Sequence, residues 1–400
     1  MLVLPLDCLQ NGPFFLCSGA DVKVVLAPNA LKGSLSSSDC ASAMAVGVRR
    51  VVPDAVCIEL PMADGGDGMR DAFMALDGFE LCEIVVEGPL GDSVTAPFLL
   101  DSENATAVIE MADASGLALL DPARLDPVNA STVGVGQLMV AALDAGAERI
   151  VLGIGGSATN DAATGLAIAL GVRFLDGAGQ LLKGCGGSLT QVASIDLSGL
   201  DPRMTDLSLD IVCDVDNPFI GPEGAAALYG PQKGADAATV QVLDAGMAHF
   251  AEVLKEVTGV DVCEMPGAGA AGGMGGGLHA LFGARLLPGA ELMAEVVGLD
   301  TALEGADLVI TAEGRIDGQT AHGKAPAEVA KRAKAAGVPC VAIAGSLGDG
   351  YQQLADVGID ACFSLCAGPI SLEEAMAQAS ELMSDTTEQA VRLFIASKLY

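Results

Sequence analysis

Three short segments concentrate side chains suited to phosphate and proton chemistry. The first, "GIGGSATND" (Gly153 to Asp161), follows the apolar run Ile150-Val151-Leu152 and precedes an Ala- and Leu-rich stretch. A strand that ends in glycines and turns into a helix presents a cluster of backbone N–H groups to an anion. Gly155 and Gly156 supply that turn, Ser157 and Thr159 add hydroxyls, and Asn160 and Asp161 add an amide and a carboxylate. The second, "TAEGRIDGQTAHGKAP" (Thr311 to Pro326), places Glu313, Arg315, Asp317, Gln319, His322 and Lys324 after the apolar run Leu308-Val309-Ile310. Such a set offers carboxylates for metal or base work and cations for a bound carboxylate or phosphate; His322 reads as a polar donor rather than a metal ligand. In the third, "ADGGDG" (Ala63 to Gly68), Asp64 and Asp67 flank two glycines directly after a strand.

Further polar groups recur at strand ends. "IVCDVDNP" carries Asp214, Asp216 and Asn217, "YGPQKGA" sets Gln232 and Lys233 between glycines, and "NALKGSLS" puts Lys32 and Ser34 in the first strand's exit loop. "PGAGAAGGMGGGL" (Pro266 to Leu278) reads as a glycine segment that either follows a phosphate chain or is flexible. Walker A, the GxSxG elbow and HExxH are missing, which closes those routes. Gly153-x-Gly155-x-x-Ala158 satisfies the relaxed dinucleotide fingerprint, and Asp176 follows a strand-like "VRFL", so a nicotinamide-dependent oxidoreductase is the alternative reading. Against it, Asp161 beside a pyrophosphate is repulsive unless a metal lies between.

The elements that position these loops follow from apolar patterning. Short strands alternate with helical segments from "VKVVLAP" through "MADGGDG", and again from "ADLVITAEGRID" onward, the rhythm of a doubly wound parallel sheet. Ser36 to Ser38 cap a first helix that ends near Arg49 and Arg50. Between these stretches, "ELCEIVVEGPLGDSVTAPFLL" reads as two antiparallel strands around a Pro-Leu-Gly-Asp turn. The expected fold is α/β with two domains. A Rossmann-like parallel-sheet domain takes residues 22–80 plus 286–400, an inserted α/β domain with a mixed sheet takes 81–285, and the site lies in the cleft between them. Residues 1–21 lack the basic start of a secretory leader and read as an appended tail or an early start codon.

Bulk properties narrow the partners. Four hundred residues, half of them apolar, give ample core, and a formal charge of −32 makes nucleic acid and anionic membranes poor partners. Eleven cysteines without a CxxC read as buried free thiols in a reducing cytosol, so a cytoplasmic location is expected. No apolar run reaches the length of a membrane span. A chain this acidic holds a phosphorylated ligand only by local means: N–H groups, a few placed cations and a divalent ion.

Six segments in order, "LAPNALKGSLS", "ADGGDG", "GIGGSATND", "CDVDNPFIGPEGAAALYGPQKGA", "GAGAAGGMGGGL" and "TAEGRIDGQTAHGKAP", resemble the type-I glycerate kinase family over nearly everything from Val22 onward. The resemblance implies transfer of the ATP γ-phosphoryl group to D-glycerate with Mg²⁺, most readily to the 2-hydroxyl, with the 3-hydroxyl as the alternative acceptor, in a monomer or homodimer. The family usually shows Glu at Asp67, Gly-Gly at Ala162-Ala163, Gly at Ala312 and Asp-Ser at Asn29-Ala30. On this reading Asp64, Asp214 and Glu313 are the candidate Mg²⁺ ligands. Asp161 or Asp317 takes the hydroxyl proton. Arg315, Lys324 and Lys233 bind the glycerate carboxylate and the moving phosphoryl group. Ser157, Thr159 and the N–H groups of Gly155 and Gly156 cradle phosphate oxygens, while Lys32, Ser34, Asn160, Gln319 and His322 complete the binding set.

Overall fold

The computed structural model describes residues 22–31, 33–63, 69–74, 76, 78–321 and 323–398. Among them lie thirteen strands: β1 (Lys23–Leu26), β2 (Val56–Glu59), β3 (Phe79–Glu87), β4 (Ser93–Asp101), β5 (Thr106–Glu110), β6 (Arg149–Gly153), β7 (Arg173–Leu175), β8 (Ser194–Asp196), β9 (Ser208–Val212), β10 (Arg285–Leu287), β11 (Leu308–Ile316), β12 (Cys340–Leu347) and β13 (Ala361–Ser364).

Both ends of the described chain build a five-stranded sheet in the order β13-β12-β11-β1-β2, parallel throughout. Its direction of winding reverses between β1 and β11, the place where open parallel sheets leave a crevice beyond the strands' carboxyl ends. Ser36 caps the helix Ser37–Val51 by accepting from Asp39 N, as expected, and that helix packs with Ala379–Lys398 on one face. The helices Ala325–Ala336 and Gly289–Val296 cover the other face.

The middle of the chain builds a six-stranded sheet in the order β10-β9-β6-β5-β4-β3. Strands β5, β6, β9 and β10 run parallel, and the β3–β4 hairpin adds two antiparallel strands around the Gly88–Asp92 turn. The central strand β6, "RIVLG", is buried at four of its five positions, which suits a strand covered on both faces. One buried cluster draws on both sheets. Val25 and Val309 come from the first, Val108, Val151 and Val212 from the second, with Phe73 and Met293 from the helices between them.

Two expectations change. The segment from Pro266 to Leu278 is not a loose loop: from Ala270 it enters the helix Ala270–Phe282, which is buried from Met274 to Leu278. That helix turns left-handed at Ala271, Gly272 and Gly273. A Cβ at Gly272, where φ is +72°, would lie 2.1 Å from the Thr159 carbonyl oxygen, so glycine here lets the helix press directly on the β6 exit loop. The other change concerns β7. It pairs antiparallel with β8 in a separate ribbon rather than beside β6, and Asp176 accepts from Ala178 N and Gln180 N in the following turn. The strand geometry of a dinucleotide fold is therefore lacking around Asp176.

Candidate active site

The first group of polar side chains gathers at the carboxyl end of β6. Strand β6 delivers Ile154 to Asp161 into a turn, and the backbone N of Ala158 donates to Ser115 O, which fixes the turn against the β5 exit. Gly155 and Gly156 are exposed, whereas Ser157, Thr159, Asn160 and Asp161 are buried. The short helical turn Pro231–Lys233 brings in Lys233, whose side chain is only 1% exposed. Its Nζ donates to Ser157 Oγ at 2.8 Å and to Thr159 O at 2.6 Å. Burial pulls the ammonium down to about 7, and Asp161 pulls it back up. A pocket of about 230 Å³ opens beside it, lined by Gly155, Gly156, Ser157, Asp214, Gln232 and Lys233 among others.

Asp161 stands behind this pocket rather than in its wall. Its Oδ2 accepts from Thr132 N (2.9 Å), Thr132 Oγ1 (2.8 Å) and Gly165 N (3.2 Å), which ties the β6 exit loop to the starts of two helices. Burial raises its carboxyl to about 6 against those three donors. Asn160 points into the core, its Nδ2 3.1 Å from Met247 Sδ. Thr159 Oγ1, Asn160 Oδ1 and Asp161 Oδ1 are buried with no hydrogen-bond partner among the described residues. Three consecutive underused acceptors mark a stretch whose polar groups are kept for something other than packing.

The second group lies at the carboxyl end of β11, beside the switch in winding. Asn29 N donates to Ala312 O, which joins the β1 exit to β11, and Ser34 Oγ donates to Met376 O at 3.3 Å. Glu313 Oε1 accepts from Lys324 Nζ at 3.0 Å. Arg315 is exposed and its Nε donates to Asp317 Oδ2 at 3.0 Å, while Asp317 Oδ1 accepts from Gln319 N. The Gln319 N–H, with Arg315 beside it, holds Asp317 below the usual carboxylate range.

Contacts at the β9 and β10 exits relate the two groups. Asp214 Oδ1 accepts from Gly289 N at 2.8 Å, and Pro288 lines a cavity of about 420 Å³ together with Ala321 and Gly323 of the β11 exit. The β2 exit reaches toward both sheets as well: Met62 N donates to Pro28 O, and Arg70 N donates to Glu110 Oε1 at the end of β5. Lys32, Asp64 and His322 lie outside the described residues, as does the stretch 1–21.

Thr132, Arg70 and Cys213 are placed around the site without having been singled out in the sequence. Thr132 precedes the helix Val133–Asp144 and looks there like an ordinary cap, yet its hydroxyl serves Asp161. Arg70 donates to Asp113 Oδ2 and sits two residues beyond the "ADGGDG" segment, a position that charge alone could have flagged. Among the described residues no group of three His, Cys, Asp or Glu side chains is arranged to hold a metal ion, and no helix is long and apolar enough to cross a membrane.

Residues 24–395 match the sequence model of the glycerate kinase family. A glycerate kinase of Halalkalibacterium halodurans is 49% identical over 370 residues, covering 92% of this chain and 96% of that protein. A glycerate 2-kinase of Escherichia coli K12 is 44% identical, with 88% of this chain and 93% of its own covered. A crystal structure from Salmonella typhimurium LT2, provisionally assigned there as glycerate kinase 2, aligns with a TM-score of 0.84 and 42% identity over 95% of this chain and 100% of that one.

Proposed function

This chain belongs to the glycerate kinase family, and from that premise we propose that it transfers the γ-phosphoryl group of ATP to the 2-hydroxyl of D-glycerate, giving 2-phosphoglycerate and ADP. As a kinase it is a phosphotransferase acting on an alcohol group. Lys233 is the observation that carries the reading. Keeping an ammonium buried at the wall of a glycine-lined pocket costs desolvation, and the cost is explained if the charge meets an anionic reactant there.

Phosphoryl transfer needs positioning and charge neutralisation more than covalent help. The N–H groups of Gly155 and Gly156, the Ser157 hydroxyl and Lys233 hold phosphate oxygens. Thr159 contributes its carbonyl oxygen, which orients Lys233. Mg²⁺ bound to nucleotide phosphates typically takes only one or two protein carboxylates. Asp214 lines the pocket and would hold the ion; its chemistry there is to offset charge on the phosphates. Glu313 is committed to Lys324 and keeps that cation in place. Arg315 and Lys324 take the glycerate carboxylate, with Gln319 of the same loop as a further donor. Asp317, accessible beside Arg315, receives the proton as the hydroxyl oxygen attacks phosphorus and ADP leaves. Asp161, enclosed and holding three donors, sets the loop and the charge of Lys233 instead.

The test supplies ATP, D-glycerate and Mg²⁺ and feeds the product to enolase with no mutase present. Phosphoenolpyruvate formed without delay is the expected result. ADP released without phosphoenolpyruvate would move the acceptor to the 3-hydroxyl, and no ADP from folded protein would refute the activity.

A further inference from the structure

The pocket beside Lys233 has a mixed lining. Gly155, Gly156, Ser157, Gln232 and Lys233 supply donors, Asp214 a carboxylate and Cys213 a thiol. The remainder of the wall comes from Ile154, Val212, Val215, Ala270, Ala271 and Tyr229. Every carbon of D-glycerate bears oxygen, so a three-carbon hydroxy acid has no use for that apolar wall. A molecule that is flat and weakly polar at one end and anionic at the other matches both. The β11 exit offers the opposite character: Arg315, Asp317, Gln319 and Lys324 form a polar, charge-rich loop that suits a small carboxylate.

We propose that the Lys233 pocket is the nucleotide site, with the adenine base against Tyr229 and Val215 and the phosphates toward Gly155, Gly156 and Lys233. This rests on the kinase reading and assigns its two substrates to different sheets. Aromatic rings stack on bases without needing a particular edge. Gln232, exposed and lining the same pocket, carries both a donor and an acceptor for the base edge. D-glycerate is then left to the β11 exit.

Cys213 allows a direct test because it lines this pocket, its Sγ 3.1 Å from the Val215 carbonyl oxygen. Burial pushes its thiol up, so labelling with N-ethylmaleimide is followed at mildly alkaline pH by peptide mapping. Half-buried Cys82, on β3, serves as internal reference. Mg-ADP at about ten times its Kd is expected to slow Cys213 labelling about tenfold relative to Cys82, because the unliganded fraction falls in that proportion, while D-glycerate alone leaves it unchanged. In steady-state assays Tyr229→Ala is expected to raise KM for ATP about tenfold and to spare KM for D-glycerate. Protection by glycerate and not by ADP, or protection by neither, overturns the assignment. Labelling requires no turnover, so it is read separately from the enolase assay that tests the kinase activity itself.

Discussion

Replacing Lys233 by Met isolates a single buried charge. The Met side chain keeps most of the apolar stem and removes the ammonium. In the folded protein burial holds Lys233 at about 7, against 10.5 as the ordinary value. Between those values the unfolded chain binds a proton that the folded chain does not, so this group makes stability rise as pH increases. The full slope is about 1.4 kcal/mol per pH unit. From pH 7, where the folded amine is half protonated, to about pH 9 the integrated gain is about 2 kcal/mol. The assay is urea unfolding of wild type and variant without ligands at several pH values, comparing their difference at each. The wild type is expected to gain about 2 kcal/mol relative to the variant over that window, while the variant loses kcat/KM by a hundredfold or more, on the order of 3 kcal/mol of transition-state stabilisation. Parallel stability curves would refute the claim that Lys233 is held near neutral pKa. A variant retaining kcat/KM would remove the residue from the reaction.

Asp161→Asn keeps an acceptor for Thr132 and Gly165 but takes the negative charge away from Lys233, whose pKa falls. The alkaline limb of kcat/KM for ATP is expected to move down by about one pH unit; an unmoved limb refutes the coupling. Arg315→Ala is expected to raise KM for D-glycerate on the order of tenfold or more with KM for ATP little changed, and a rise confined to ATP refutes its assignment to glycerate. Gly272→Ala puts a methyl group 2.1 Å from Thr159 O at a left-handed position, and a loss on the order of 3 kcal/mol in urea unfolding is expected. An unchanged unfolding midpoint would show that the helix and loop can separate freely.

Much of the architecture is written in local patterns. The apolar runs of β1, β6 and β11 are short and bounded by polar loops, and the "GPLGD" turn announces the β3–β4 hairpin. Ser36 with Asp39 marks a helix start by chemistry that acts over a single turn. Sequence reading failed where the decisive partner is distant. A run of glycines between Pro266 and Leu278 looks like a loop because glycine disfavours helices, but packing against the Thr159 and Ala162 carbonyls requires it within one. Gly153-x-Gly155-x-x-Ala158 matches a dinucleotide fingerprint in one dimension, and only the pairing of β7 with β8 removes the strand that the motif needs. In the site, the residue types in the strand-end loops were legible. That Asp161 faces Thr132 rather than the pocket, and that Lys233 reaches Ser157, depend on contacts 29 and 76 residues apart.

The placement of β1 also sets a schedule for the nascent chain. This strand lies between β2 and β11, and Lys23 N bonds to Asp307 Oδ2 across 284 residues. At ribosomal rates of about 5–20 residues per second, β1 emerges roughly 15–60 s before the partner on its inner edge exists. Over that interval the apolar sequence "KVVL" has only β2 to pair with, while the six-stranded sheet has all its strands by Leu287. The middle of the chain is thus positioned to fold first, and β1, the first strand among the described residues, becomes one of the last to be enclosed.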